Sequence, residues 1–249
     1  MDNDTQGHLI WNYYKGLLNF KVVERSDGYV NVDAGAKSYF SDYNDWAKHE
    51  KEAIGYAKGR FLDIGCGAGR VGLHLQKRGF GGLSIDTSPL AIKVCRLRGV
   101  KNARLMGIED IPKLGKGSFD SIIMFGNNFG LLGGFNKAKT LLKEMYRITS
   151  DKGTIIAETR DPYITDNLVH FVYHKANANK GRMPGQLRIR IRFMQYCTDW
   201  YDYLYVSRNE MKQILKGTGW KAVRFINDPR YWANGEYIAI IRKDTNAVK

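Results

Sequence analysis

No apolar run in these 249 residues approaches the ~20 a helix needs to cross a bilayer, so a membrane-spanning protein is not expected. The opening Met1-Asp2-Asn3-Asp4-Thr5 is polar and has no apolar signal core. Cysteine is scarce. Cys66, Cys95 and Cys197 are odd in number, far apart in the chain and without ligand spacing. That excludes a disulfide framework, gives no metal site, and points to a reduced, cytoplasmic setting. Acid is short relative to base, 25 Asp and Glu against 39 Lys and Arg, for a formal charge of +14. Such a surplus attracts nucleic acid or other anions non-specifically, or it simply solubilises the surface. With 43% hydrophobic and 12% aromatic residues, the chain has ample material for a core, so wholesale disorder is excluded.

What is present is organised around the stretch from Phe61 to Asp86. Phe61, Leu62 and Ile64 form the short apolar run of a buried parallel strand. Gly65, Gly67 and Gly69 follow, and a helix begins near Arg70, where free N–H groups favour a negative group. A second strand, Leu83-Ser84-Ile85, ends in Asp86, well placed to accept hydrogen bonds from a ribose. Gly67-Ala68-Gly69-Arg70-Val71-Gly72 satisfies the dinucleotide pattern G-x-G-x-x-G, which keeps a nicotinamide oxidoreductase in view. The position of Asp63 argues otherwise. A carboxylate at the end of a buried strand is costly unless donors or a cation meet it, and a pyrophosphate supplies neither.

Asp63-Ile64-Gly65-Cys66-Gly67-Ala68-Gly69 resembles motif I of the class I S-adenosylmethionine-dependent methyltransferases. The resemblance implies an α/β fold. Its core is a doubly wound, seven-stranded, mostly parallel sheet, with the last strand antiparallel and helices on both faces. It implies S-adenosylmethionine as cofactor, with S-adenosylhomocysteine as product. By resemblance, Asp63, Gly65, Cys66, Gly67 and Gly69 hold the methionine part, and Asp86 with Thr87 holds the ribose. Ile108 and Glu109 face the adenine, and Phe125 lies beside the methyl. Where the family carries an Asp for the adenine amino group this chain has Gly107, which passes that contact to the Ile108 backbone or the Glu109 side chain, with Asp110 as the alternative.

The remaining punctuation supports that frame. Ser88-Pro89 reads as N-cap and first helical residue, and Gly99 as a helix stop. Phe119 to Phe125 is a strand whose end, Asn127 and Asn128, supplies catalytic candidates. Residues 136–149 are an amphipathic helix, and 154–159 a further strand leading to Tyr163, a third candidate. Ser207 and Glu210 form a capping box. Strands are expected at 221–226 and 237–242.

As a single domain over 1–249, the chain divides into a helical lid (1–58), a cofactor core (59–163), an inserted cap (164–206) and a return to the core sheet (207–249). Tyr14, with Leu17 and Leu18 on its helix face, Tyr39 and Tyr43 are lid residues within reach of a substrate, or ordinary packing. In the cap, Leu187 to Tyr196 alternates: Arg188, Arg190 and Arg192 on one face, Leu187, Ile189, Ile191 and Phe193 on the other. A second run at Tyr201, Tyr203 and Tyr205 closes an antiparallel hairpin. The arginine row would receive an anionic substrate or a phosphate backbone, or it is a solvated face answered by Asp199, Asp202 and Glu210. The acceptor is accordingly a small or medium-sized molecule, with RNA as the alternative; a non-catalytic cofactor-binding scaffold stands behind both.

Overall fold

The computed structural model describes residues 4–17, 20–33 and 35–244. In chain order the elements are α1 (Thr5–Tyr14), β1 (Lys21–Arg25), β2 (Val30–Asp33), α2 (Lys37–Phe40), α3 (Lys48–Ile54), β3 (Phe61–Ile64), α4 (Arg70–Lys77), β4 (Gly82–Asp86), α5 (Pro89–Leu97) and β5 (Ala103–Leu105). They continue with β6 (Phe119–Met124), α6 (Phe135–Ile148), β7 (Thr149–Arg160), α7 (Leu168–Asn179), β8 (Gln186–Phe193), β9 (Tyr196–Cys197), β10 (Tyr201–Leu204), α8 (Arg208–Leu215), β11 (Trp220–Ile226), α9 (Pro229–Trp232) and β12 (Glu236–Lys243).

One sheet has seven strands in the order β11-β12-β7-β6-β3-β4-β5. The β4–β5 and β6–β7 pairs are parallel, whereas β12 runs antiparallel to both β7 and β11. This is the doubly wound sheet with an antiparallel last strand that the sequence implies. Strands buried on both faces need continuous apolar runs, and Ile122, Ile123, Ile155, Ile156 and Ile240 are fully buried.

The chain groups into two compact units. The first holds 1–46, 63–107 and 188–201; the second holds 47–62, 108–187 and 202–249. In the first, Asp4 caps α1 by accepting from Gly7 N–H at 3.0 Å and also takes Leu90 N–H of α5 at 3.0 Å. Ser88 caps α5 as expected, its hydroxyl accepting from Ala91 N–H at 2.9 Å, with Pro89 at the first turn. In the second, Ser207 and Glu210 close the capping box of α8.

Two parts of the sequence reading are corrected. Residues 1–58 are not a wholly helical lid. Residues 21–33 form the antiparallel hairpin β1–β2, and the helical stretch expected from Ala36 to Lys58 is two short helices separated by a 3₁₀ turn, Tyr43–Asp45. The inserted strands are not a free-standing hairpin either. They belong to a sheet ordered β10-β8-β1-β2, with β9 also paired to β8. Val22-Val23-Glu24-Arg25 lies antiparallel to β8, in register Val22↔Arg192 and Glu24↔Arg190. Lys21 to Arg25 is too short and too mixed in polarity to betray a strand, and the β8 edge supplies the reason it forms one. The turn expected at Asp151-Lys152-Gly153 falls inside β7, as a break in register: Thr149 lies opposite Phe119 and Thr154 opposite Ser121, so residues 150–153 bulge out against one residue of β6. Leu18 and residues 1–3 lie outside the described residues.

Candidate functional site

The glycine turn between β3 and α4 is built for close packing on both flanks. Gly67 and Gly69 have φ of +54° and +80°, a region that L side chains rarely adopt. A β-carbon on Gly67 would lie 2.6 Å from the Tyr39 ring, and one on Gly69 2.6 Å from Val100 and 3.0 Å from the Cys95 sulfur. These two glycines therefore admit protein side chains as well as a left-handed backbone.

Around this turn stand the two carboxylates. Asp63 is 2% exposed, and its Oδ2 has no hydrogen-bond partner. Burial lifts its pKa to about 7; the charge of Arg70 opposes the rise, and that of Asp86 adds to it. Asp86 takes Gly67 N–H on Oδ2 at 2.9 Å and Ser88 N–H on Oδ1 at 3.0 Å. Burial raises its pKa also, with those backbone N–H groups pulling against it. Thr87 is exposed beside it.

An orphaned, buried carboxylate oxygen at the foot of a glycine turn is the donor set for a cation, and it is unfavourable for a pyrophosphate. These residues fit the sulfonium- and ammonium-bearing S-adenosylmethionine, with Asp86 at the strand end where an acid meets a ribose.

Other residues of the first unit close on the turn. Tyr39 lies against it, its hydroxyl accepting from Gln6 Nε2 at 2.6 Å and Lys21 Nζ at 3.5 Å. Arg98 at the end of α5 donates to the carbonyls of Ala68 (2.6 Å), Tyr39 (3.3 Å) and Phe40 (3.3 Å), tying the α2 segment to the turn. The sequence reading missed Gln6, Lys21 and Arg98; only a helix-terminal Arg next to Gly99 hinted at the last. Cys66 and Cys95, far apart in sequence, have sulfurs 3.7 Å apart, and that contact together with burial pushes the Cys66 thiol well up, so its side chain packs while its backbone stays in the glycine turn.

The tyrosines part company here. Tyr14 stacks on Trp11 and Tyr43 on His74, the latter with centroids 4.4 Å apart, while Tyr39 meets the glycine turn. In β8, Arg190 grips Glu24 with two hydrogen bonds of 2.8 and 2.9 Å, and Arg192 donates to the same carboxylate at 2.8 Å. Glu24 is thus an acid that answers the row at Arg190 and Arg192, one the sequence did not offer; Asp202 pairs with Arg182. Arg188 is half-buried on the same strand.

Within the second unit, Ile108 and Phe125 are buried, and Glu109 is exposed and bonded to Lys137 at 2.6 Å. Asn127 adopts φ +63°, its carbonyl accepting from the Tyr203 hydroxyl at 2.7 Å, while its buried Oδ1 has no partner. Asn128 begins the next 3₁₀ turn. Tyr163 is 47% exposed; partial burial and the hydrogen bond its hydroxyl donates to Glu210 at 2.9 Å raise its pKa.

Residues 62–157 match the family model described as a methyltransferase domain. The ubiquinone biosynthesis O-methyltransferase of Xanthomonas oryzae is 34% identical over 71 residues, covering 26% of this chain and 30% of that protein. The chain thus matches about a third of the length of these curated relatives. Among solved structures, a methyltransferase from Bacteroides fragilis in complex with S-adenosylhomocysteine superposes with a TM-score of 0.79 at 24% identity, covering 97% of this chain and 95% of that one. The 1,6-didemethyltoxoflavin-N1-methyltransferase of Burkholderia thailandensis superposes at 0.54 with 14% identity, covering 82% and 80%.

Proposed function

We propose that this chain, whose core is that of a class I S-adenosylmethionine-dependent methyltransferase, transfers a methyl group to a small or medium-sized molecule and works as one domain over residues 1–249. The observation that carries the cofactor is the buried, partnerless Asp63 Oδ2 beneath a positive-φ glycine turn, with Asp86 at the neighbouring strand end. When bound, the sulfonium supplies an electrophilic methyl and a neutral thioether leaving group.

The protein's task is then to bind, align and exclude water. Asp63 offers negative charge to the methionine portion. Asp86 presents carboxylate oxygens already oriented by Gly67 and Ser88 N–H. Gly65, Cys66 and Thr87 complete this set, with Ile108, Glu109 and Phe125 proposed for the adenine and methyl ends. Asn127 is the favoured catalytic candidate, because its αL backbone and partnerless Oδ1 hold an acceptor atom in place. Tyr39 is the favoured substrate contact among the lid tyrosines. A small acceptor is favoured over RNA because Glu24 engages two members of the arginine row and offsets one of their charges. That the Xanthomonas relative is an O-methyltransferase supports a hydroxyl-bearing acceptor as the first class to test.

Calorimetry with S-adenosylhomocysteine beside NADH tests the cofactor. Only the first should bind, and Asp86→Ala should weaken it by about 1.5–3 kcal/mol, the worth of a charged hydrogen bond. Binding of NADH, or unchanged affinity in the variant, would overturn the assignment.

A further inference from the structure

A second cluster lies in the second unit, away from the glycine turn in sequence and unused by the chemistry above. His49 of α3, Glu158 near the end of β7 and Glu236 at the start of β12 bring one donor atom each within 4.8 Å of one another. The β7–β12 ladder makes the pairing, setting Ile238 opposite Glu158 and Glu236 opposite Arg160.

His49 is 2% exposed, and neither ring nitrogen has a hydrogen-bond partner. Its Nε2 faces Glu158 Oε1 at 3.6 Å, too long for a hydrogen bond. Two unsatisfied nitrogens in a buried ring are costly. Each carboxylate is steadied from behind: Glu158 Oε2 accepts Gly126 N–H at 2.5 Å, and Glu236 Oε1 accepts from Arg160. Outer hydrogen bonds of this kind orient metal ligands.

We propose that His49, Glu158 and Glu236 form a binding site for one divalent first-row transition-metal ion. The donor spacing suits it. Bonds of about 2.0–2.2 Å place adjacent ligands roughly 3–4 Å apart, and the imidazole–carboxylate gap falls there. The donor types decide the metal class: an imidazole with two carboxylates favours Zn²⁺, Mn²⁺ or Fe²⁺ over Mg²⁺ or Ca²⁺, which take all-oxygen sets. Charge agrees, because two carboxylates against the Arg160 guanidinium leave one negative charge with a neutral imidazole. A cleft lined by Lys48, His49, Glu52, Asn227, Asp228 and Arg230 opens beside His49. A proton on His49 is the rival occupant, since it would balance the same charges.

The test uses the full chain dialysed free of metal, titrated with Zn²⁺ and with Mn²⁺ by calorimetry, and analysed for bound ion. One ion per chain is expected, with binding weakened at least tenfold in His49→Ala and in Glu236→Gln. Circular dichroism should show both variants folded. Should either unfold, Glu158→Gln, which keeps an acceptor for Gly126 N–H, serves in its place. No stoichiometric binding, affinity unchanged in the variants, or a His49 imidazole that NMR shows titrating identically with and without ion would each overturn the site. S-adenosylhomocysteine affinity, measured on the same samples, separates this result from the methyltransferase reading.

Discussion

At the scale of single residues, Asp63 decides the character of the site. The folded protein holds its proton up to about pH 7, far above an ordinary aspartate. Its contribution to stability is therefore complete below the ordinary aspartate range and is lost as pH climbs through about 7. A cationic ligand favours the carboxylate, so cofactor binding should release a proton and tighten as pH rises from 6 to 8. Asp63→Asn should flatten both profiles and raise the melting temperature at pH 8. Calorimetry in two buffers of different ionisation enthalpy, with melting curves across pH 5–8, checks this. Equal proton release in wild type and variant would show that Asp63 does not face the positive ligand. Tyr39 and Arg98 belong to the same scale. Neither is marked by a motif, yet one packs on Gly67 and the other hydrogen-bonds the Ala68 carbonyl.

At the scale of elements, the pairing of β1 with β8 changes what the arginine row is. Alternation placed Arg188, Arg190 and Arg192 on one face correctly, but not the strand lying alongside. Glu24 sits in register with Arg190, and the two arginines hold its pKa down to about 2. This pairing is present above the ordinary glutamate range and is lost only as pH falls through about 2. Glu24→Gln releases two guanidinium groups at once. It should elute from heparin at higher salt than Glu52→Gln, which makes the same charge change but releases Arg224. Equal elution would mean that Glu24 does not engage the row.

At the scale of the whole molecule, the charge of +14 remains to be placed. With Arg190 and Arg192 engaged, it predicts weak, sequence-independent RNA binding that disappears between about 50 and 200 mM salt, as counterion release requires. Transfer of labelled methyl from the cofactor into fractionated cell extract should be indifferent to nuclease. Tight RNA binding at 200 mM salt, read by fluorescence anisotropy, or nuclease-sensitive transfer would restore the RNA reading. Among the described residues no helix is long and apolar enough to cross a membrane.

The chain by itself determined the core: the β3–glycine turn–α4–β4 unit, the caps at Ser88 and Ser207, and the two carboxylates. Each is written in a few neighbouring residues whose local physics permits little else, a buried apolar run, a left-handed turn or a side chain closing its own helix. Tertiary structure decided what depends on partners far apart in sequence. The pairing of β1 with β8, the Glu24 contacts, the Tyr39 and Cys95 contacts with the glycine turn and the gathering of His49, Glu158 and Glu236 all arise when strands and helices distant in sequence pack together. A pairwise contact leaves no periodicity in either of the segments that make it.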